Sequence, residues 1–289
     1  MTEPVPDADP PAVIAVVPAY RPGLNLLELV AGLLPQVTQV VVVDDGSPSG
    51  QELLDAAAEL GAHVVRHDTN RGIAAALNTG IRSAVATAGT VAVLTVDQDS
   101  QIPGGYVAAL LDTWAQAEQD GLRVGIVAPE HVTGLPDQAR GRPPVQSGQL
   151  IPVATLRHVG DFDEDLFIDG VDDDFALRCL DAGLSLVVAD RLTLGHRLGE
   201  THDITVAGRT VTLTRSAPFR YYYLTRNRTR LIGRHARRHP RWSAGQVVGV
   251  AGHLGLVVAF DPERGTRARE AWRGFRDGLR GRTGARPGN

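Results

Sequence analysis

Pairs of carboxylates follow apolar stretches at two places in the first hundred residues. Asp44 and Asp45 come directly after residues 40–43, and Asp97 and Asp99 follow residues 91–96. Two carboxylates one residue apart can share a hard divalent cation, because oxygen ligands suit Mg²⁺ and Mn²⁺. Adjacent carboxylates beside a glycine can also accept hydrogen bonds from a nucleobase or a ribose. Acidic residues next to Gly or Ser are equally common in ordinary turns, so both interpretations stay open at each pair.

A third and denser group of acidic residues lies between residues 161 and 174. Its members surround the apolar residues 166–168, and they are Asp161, Asp163, Glu164, Asp165, Asp169, Asp172, Asp173 and Asp174. Like charges this close repel by several kcal/mol at intermediate dielectric, so a cation or a proton is expected to balance them. The strict EF-hand spacing is absent, which disfavours a calcium module.

Two shorter motifs could contact an anion or a metal. Asn70-Arg71-Gly72 precedes a predicted helix, where backbone N–H groups and Arg71 could bind phosphate. A glycine turn leading into a helix would explain the same residues. His196 follows apolar residues in the string LGHRLG, and it is a structural histidine unless carboxylates converge on it as fellow ligands.

Short β-branched runs alternate with helical patterns and would position these groups. Residues 13–17, 40–43, 64–65, 91–96, 124–128 and 186–188 are predicted strands, with helices at 51–60, 73–85 and 175–182 among others. This order predicts a doubly wound α/β sheet, in which ligands bind outside the carboxyl ends of the strands. The Gly- and Pro-rich residues 129–147 are predicted to form a long functional loop.

Composition narrows the classes of protein. With 43% hydrophobic residues among 289, the chain can bury a large core, and a net charge of −4 does not favour nucleic-acid binding. A single cysteine rules out a disulfide scaffold and favours a reducing compartment. Residues 1–12 lack the positive start and apolar stretch of a signal peptide and are predicted to be a disordered lead-in. We therefore expect a cytoplasmic protein.

The last third of the chain is rich in arginine and aromatic residues. Arginines accumulate after residue 209, which suits phosphates or an anionic membrane surface, and residues 221–223 are three tyrosines. These residues could lie over a donor or a lipid-linked acceptor. Residues 242–260 form an apolar stretch that could pack on the core, lie at a membrane interface or span a membrane.

Taken in order, the motifs resemble those of the inverting family-2 glycosyltransferases, and among them the bacterial rhamnosyltransferase branch. The resemblance covers the chain after residue 12. The matching strings are VVPAYRP (16–22), VVVDDGS (41–47), NRGIAAALNTGI (70–81), VDQDSQIP (96–103), SGQLIP (147–152), VGDFDEDLFIDGVDDDFALRCLDAG (159–183), HRLGE (196–200), RYYYLTRNR (220–228) and FRDGLRGRTG (275–284). DQDS and LFIDGVD are the strings most similar to the rhamnosyltransferases.

The resemblance implies a GT-A (nucleotide-diphospho-sugar transferase) fold, with a Rossmann-like, mostly parallel sheet in residues 13–215 and a C-terminal helical region in 216–289. It implies Asp172 as the catalytic base, although the neighbouring aspartates leave the register open by one residue. Asp169 would contact the acceptor. The implied metal ligands, for Mg²⁺ or Mn²⁺, are Asp97, Asp99 and His196. The implied donor-binding residues are Pro18, Ala19, Tyr20, Asp44, Asp45, Arg71, Asp97 and Gln98.

The implied activity is metal-dependent transfer of L-rhamnose from dTDP-L-rhamnose to a hydroxyl of a lipid-linked glycan in cell-surface polysaccharide biosynthesis. One alternative is a family-2 transferase for another hexose or a furanose, with a UDP- or GDP-sugar donor. Another is a non-catalytic protein that binds nucleotide sugars, and a third is a membrane-embedded protein. Peripheral contact with the inner face of the plasma membrane and a homo-oligomer are both compatible with the sequence, and no nucleic-acid partner is expected.

Overall fold

The computed structural model of the chain describes residues 11–196, 201–206, 209–214 and 216–286, with side chains described outside residues 196–215. The strands are β1 (Ala12–Ala19), β2 (Gln39–Asp44), β3 (His63–Arg66), β4 (Thr90–Thr95), β5 (Ser100–Gln101), β6 (Val124–Val132), β7 (Gln149–Pro152), β8 (Ser185–His196), β9 (Thr201–Val206) and β10 (Arg209–Thr214). The helices are α1 (Asn25–Leu33), α2 (Gln51–Glu59), α3 (Ile73–Ala86), α4 (Tyr106–Gln119), α5 (Val153–Val159), α6 (Val171–Asp181), α7 (Pro218–His235), α8 (Pro240–Phe260) and α9 (Arg264–Leu279). Most of the predicted lead-in, residues 1–10, lies outside the described residues.

An eight-stranded sheet forms the centre of the molecule. Its strand order is β3-β2-β1-β4-β7-β6-β8-β5, and β9 and β10 form a separate antiparallel pair. β1 is parallel to both β2 and β4, β2 to β3, and β6 to β8, whereas β7 runs antiparallel to its neighbours β4 and β6. The predicted mostly parallel α/β sheet is therefore confirmed.

Helices cover both faces of this sheet. Alternate residues of β1 point to opposite sides, so that Ala15 and Val17 join one core cluster while Ile14 and Val16 join another. The first core contains apolar residues of α1, α2 and α4, and the second contains residues of α3, α5 and α6. Burial on both faces explains why the strands are continuous β-branched runs.

Some predicted elements differ from the observed ones. α6 begins at Val171 rather than 175, because Gly170 at φ 84° ends the preceding loop in a left-handed conformation. The predicted strand at 186–188 extends over residues 185–196, and α5 and the β9–β10 pair were not predicted. The long loop is shorter than predicted, because β6 continues to Val132.

α8 is long and apolar enough to cross a membrane by length and composition. Only 11% of its most apolar 18-residue window is buried. Packing on the core, one of the three possibilities for this stretch, is therefore not seen over most of that window. The helix is held to the rest of the molecule by a few residues, among them the fully buried Val257.

Candidate active site

A cavity of about 890 Å³ opens where β1 and β4 end at their carboxyl termini. Most of the predicted site residues line it, although they come from four separate stretches of the chain. The predicted residues that line the cavity are Pro18, Ala19, Tyr20, Asp45, Asp97, Gln98, Asp99, Asp169 and Asp172. The structure therefore brings the acidic motifs together at one edge of the sheet, as expected for parallel strands.

Two of the predicted residues are not part of the cavity lining, and the side chain of a third is not among the described ones. The buried Asp44 accepts a hydrogen bond from the Ser47 amide (3.0 Å), and it fixes the turn instead of facing the cavity. The Arg71 guanidinium is also turned away from the cavity, because it contacts Glu164 at 3.3 Å. A direct donor contact is not supported at either residue in this conformation. The backbone of His196 pairs with Ser100, next to Asp99, while its side chain lies outside the described residues.

Gln98 holds the loop that is predicted to receive the donor. Its side-chain oxygen accepts from the Tyr20 amide at 3.1 Å, and its side-chain nitrogen donates to the Tyr20 carbonyl at 3.0 Å. Both polar atoms of the Gln98 side-chain amide therefore bind the backbone of Tyr20, in the loop that follows β1. Gln98 lines the cavity in this arrangement, so that it links the position of residues 97–99 to that of residues 18–20.

Asp45 organises the turn at residues 70–72. Its carboxylate accepts hydrogen bonds from the amides of Arg71 (2.9 Å) and Gly72 (2.8 Å) and contacts His67 Nδ1 at 2.9 Å. Gly72 has φ 92°, and a Cβ at this position would lie 2.4 Å from the Phe167 carbonyl oxygen. Glycine is required here because the turn presses directly against the acidic segment.

The three consecutive aspartates at the start of α6 have different surroundings. Asp172 lines the cavity, whereas Asp173 is bound by Arg228 and by the Trp242 indole N–H. Asp174 is buried, and its carboxylate is bound by Arg178 (2.8 Å), Arg234 (2.7 Å) and His235 (3.1 Å). Of the three, Asp172 alone lines the cavity, and its role as the catalytic base stays a prediction.

The environments of Asp172 and Asp174 shift their pKa values in opposite directions. Burial and the neighbouring Asp173 raise the pKa of Asp172 to about 7, against the effect of Arg228. Burial would also raise the pKa of Asp174, but its hydrogen bond with His235 and the charges of Arg178 and Arg234 lower it to about 2. Asp172 is thus suited to exchange a proton near neutral pH, and Asp174 is suited to a structural role.

Asp169 lies in the cavity wall with a cationic partner. Its carboxylate pairs with Arg220 of α7, and its backbone φ is 66°, in the left-handed region. Asp169, with Asp97 and Asp172 adding to it, raises the pKa of Arg220. Because Arg220 also lines the cavity, the site holds a fixed guanidinium next to its carboxylates.

Comparison with known proteins shows which family the chain belongs to. The model of the family described as glycosyl transferase family 2 matches residues 14–163, which is more than half of the chain. The chain belongs to glycosyl transferase family 2. The matched region contains the strand-end loops with Asp45, Asp97 and Asp99, so the predicted family and the enzyme class of glycosyltransferase are confirmed.

Individual relatives agree with this family-2 assignment. The chain is 28% identical to the dTDP-rhamnosyl transferase RfbF of Shigella flexneri in an alignment 299 residues long, gaps included. The alignment covers 94% of this chain and 97% of that protein. The crystal structure of S. aureus TarS 1-349 matches with a TM-score of 0.53 and 18% identity, over 93% of this chain and 81% of that one. TarS 1-349 in complex with UDP matches with the same score over 88% and 74%. These structures support the GT-A fold.

The sequence did not reveal how this glycosyltransferase holds its acidic loop. Arg226 is fully buried and donates to the carbonyl oxygens of Leu166 (2.8 Å) and Asp165 (3.2 Å). The Asn227 side chain donates to the carbonyl oxygens of Leu166, Ile168 and Asp169 at 2.7–2.9 Å. The one indication of these contacts in the sequence is the string RYYYLTRNR (220–228). It would indicate them only if its polar residues were known to face inward.

The arginines of α7 also balance the charge of the acidic segment. Ion pairs join Arg220 to Asp169, Arg228 to Asp173 and Arg234 to both Asp163 and Asp174. Phosphates or a membrane surface were the partners expected for the arginines of this region. For these three, the observed partners are aspartates of the same chain. The need for a balancing cation in residues 161–174 is thus met largely by guanidinium groups.

The predicted metal site contains ligand atoms of the kind that a divalent cation prefers. Asp97 and Asp99 offer carboxylate oxygens to the cavity, which suit Mg²⁺ or Mn²⁺. A second cluster of ligand-type side chains, Asp181, His235 and His239, has its ligand atoms within 4.8 Å of one another. Asp181 already contacts Arg238 at 3.3 Å, a cation that would oppose a metal ion there. The fit is therefore better at Asp97 and Asp99.

Proposed function

We propose that this family-2 enzyme is an inverting rhamnosyltransferase that uses a dTDP-rhamnose donor and a hydroxyl of a lipid-linked glycan as acceptor. The observation that carries the proposal is the convergence of Asp97, Asp99 and Asp172 on one cavity. The likeness to a dTDP-rhamnosyl transferase over nearly both full lengths supports the choice of donor. The acceptor and the pathway of cell-surface polysaccharide biosynthesis rest on the motif resemblance alone.

The proposed reaction is a single displacement. The Asp172 carboxylate takes the proton from the acceptor hydroxyl, whose oxygen forms a bond to the anomeric carbon. The bond between that carbon and the donor diphosphate breaks on the opposite face, so the configuration inverts and the nucleoside diphosphate leaves. General base catalysis of this kind contributes a factor of about 10² to 10⁴ in rate.

Two kinds of group in the site would meet the charge of the leaving diphosphate. Asp97, Asp99 and His196 would hold Mg²⁺ or Mn²⁺, which when bound stabilises the negative charge of the leaving group as a Lewis acid. Arg220 supplies a positive charge from the chain itself, and its pairing with Asp169 keeps it at the cavity wall. Tyr20, positioned by Gln98, would contact the nucleoside.

The raised pKa of Asp172 predicts a pH dependence of turnover. A carboxyl with a pKa of about 7 is protonated below that pH and cannot accept the proton of the hydroxyl. We expect log kcat/KM to fall with a slope of one below about pH 7 and to level off above it. Initial rates over a pH series in buffers of constant ionic strength would measure this. A flat profile across the acidic range would contradict the assignment of Asp172 as the base.

The donor is tested by incubating the pure protein, with Mg²⁺ or Mn²⁺, with a panel of dTDP-, UDP- and GDP-sugars. We expect release of nucleoside diphosphate from dTDP-rhamnose above the other donors, and loss of that release in excess chelator. Turnover of another sugar nucleotide instead would assign the enzyme to that hexose or furanose. Nucleotide binding without any turnover, in the presence of glycan acceptors, would favour the non-catalytic alternative.

The proposed location is the cytoplasm. A single cysteine, Cys179, which is fully buried, agrees with a reducing compartment. Fractionation of cells after gentle lysis would test the location.

A further inference from the structure

We propose that α8 and α9 dock the protein onto the surface of an anionic membrane. The docking face is defined by Val247 and Val258 of α8 and by Trp272, Phe275 and Leu279 of α9. It lies outside the catalytic cavity, and its existence does not depend on which sugar is transferred. Its chemistry is an apolar surface flanked by arginines, which matches the boundary between acyl chains and anionic headgroups.

α8 exposes an apolar surface that water alone would not favour. Residues 243–260 contain no Asp, Glu, Lys or Arg, and yet only 11% of the most apolar window is buried. Val248 is 72% exposed, and Val247, Val258 and Phe260 are each close to half exposed. Exposed apolar surface of this extent marks an interaction site.

α9 adds a second apolar stripe with regular spacing. Ala268, Trp272, Phe275 and Leu279 recur at intervals of four, three and four residues, so they share one face of the helix. Trp272 is 63% exposed and Leu279 is 68% exposed. The buried face of α9 is formed by other residues, such as Ala271 and Gly274, which face α7.

The two helices form one continuous surface. A groove of about 380 Å³ is lined by Val247 and Val258 from α8 and by Trp272 and Phe275 from α9, with α7 as its floor. These four exposed apolar side chains, two from each helix, therefore lie around the same depression. This continuity makes the docking face one site rather than scattered surface residues.

A basic stripe runs beside the apolar one. Arg269, Arg273, Arg276 and Arg280 each follow a member of the apolar stripe by one residue, about 100° around the helix, and all four are exposed. Residues 236–286 contain eleven arginines and four acidic residues. Asp261, Glu270 and Asp277 are buried; Glu270 pairs with Arg273 and Asp277 with Arg276, and the arginines of this stretch still outnumber its acidic residues by seven. Such a surface attracts anionic lipid headgroups.

The contacts of α8 favour a helix that lies along the membrane rather than across it. Near its start, the Trp242 indole donates to Asp173, and towards its end Val257 is fully buried. Between them, His253 stacks on Tyr221 with ring centroids 5.7 Å apart. These contacts tie the start of the helix to α6 and its second half to α7 and α9. A second copy of the chain is a less suitable occupant, because two basic stripes would then meet.

The docking face and the catalytic cavity adjoin along α7. Arg228 lines both the cavity and the groove, so the two sites are neighbours at this residue. An acceptor held at the membrane surface would therefore approach the site from nearby. This last consequence rests on the proposed function, whereas docking itself does not.

Vesicle flotation of the full chain tests the proposal. We expect flotation with vesicles of phosphatidylcholine and phosphatidylglycerol, little with phosphatidylcholine alone, and a marked loss in high salt. The double variant Trp272→Ser and Phe275→Ser should lower the bound fraction by about tenfold or more. Arg269→Gln with Arg280→Gln should weaken binding severalfold, and only to the anionic vesicles.

A matched control replaces two exposed leucines far from the docking face, Leu60→Ser with Leu122→Ser, and is expected to bind as the parent does. Circular dichroism and nucleotide binding would establish that every variant is folded. Absence of flotation in the parent, equal binding to neutral vesicles, or unchanged binding of the Trp272 and Phe275 variant would overturn the proposal. A dimer in light scattering that is lost in that variant, without vesicle binding, would assign the face to a second copy instead.

Discussion

Replacement of Asp172 by asparagine is expected to lower kcat by a factor of about 10² to 10⁴, because the acceptor hydroxyl loses its proton acceptor. The amide keeps the shape of the side chain, and its oxygen can still accept from the Asp173 amide, which donates to Asp172 at 3.0 Å. Binding of the nucleotide should therefore persist. Transfer rates and calorimetric titration with the nucleoside diphosphate would measure both.

The same variant should be no less stable than the parent. The raised pKa of Asp172 means that its charged form is disfavoured by folding, so the free energy of unfolding falls as the pH rises from the ordinary pKa of 3.8 to about 7, and the full cost of the carboxylate is present above that. Removing that charge should leave the melting temperature at pH 8 unchanged or higher. The control is Asp165→Asn in the same acidic segment, where the side chain is exposed and full turnover is expected. Unaltered turnover in Asp172→Asn would remove this residue from the mechanism.

Arg226→Met is expected to have a large effect on both stability and turnover. Methionine fills much of the space but removes one donor from each of the carbonyl oxygens of Asp165 and Leu166, which keep the Gly284 amide and the Asn227 side chain, respectively, as their other donor. Because buried polar groups that lose a partner are costly, the free energy of unfolding should fall by about 3 kcal/mol. Residues 165–169 would also be held less firmly next to Asp172, so kcat should fall. Chemical denaturation and initial rates would measure the two effects.

Arg230→Met is the matched control for that experiment. Arg230 lies on the same helix and donates to the backbone carbonyl of Gly281 at 2.7 Å, in the C-terminal residues. Its contact with the acidic loop is an ion pair with the exposed Asp165 carboxylate at 3.9 Å, and the backbone carbonyls of the loop are bound by Arg226 instead. We expect a smaller loss of stability and an unchanged kcat. If both variants lost turnover in equal measure, the effect would reflect α7 as a whole and not the support of the loop.

The first half of the fold could be predicted from sequence because its strands are buried on both faces. β1, β2 and β4 are unbroken apolar runs, and each stops at a loop with polar residues, which marks the edge where the site forms. The short helix α5 and the β9–β10 pair carry no comparable signal. α5 has only seven residues, and β9 and β10 pair with each other apart from the eight-stranded sheet, so neither continues the alternation of buried strands and helices that marks the rest of the fold.

The site was predictable as a set of residues but not as a set of contacts. Nothing in the sequence says that Gln98 brackets Tyr20, 78 residues away, or that Arg226 is buried, since arginine is usually exposed. The difference among Asp172, Asp173 and Asp174 depends on where α6 begins, because neighbours on a helix point about 100° apart. Gly170 sets that beginning, and its conformation is visible only in the structure.

Burial of Cys179 has a practical consequence. The thiol is enclosed in the second core cluster, and burial raises its pKa to about 12, so the reactive thiolate is almost absent from the native protein. Alkylating reagents should therefore modify the chain only when α6 separates from the sheet. α6 also carries Asp172. The rate at which Cys179 is labelled would therefore report how often α6 opens, with and without bound nucleotide.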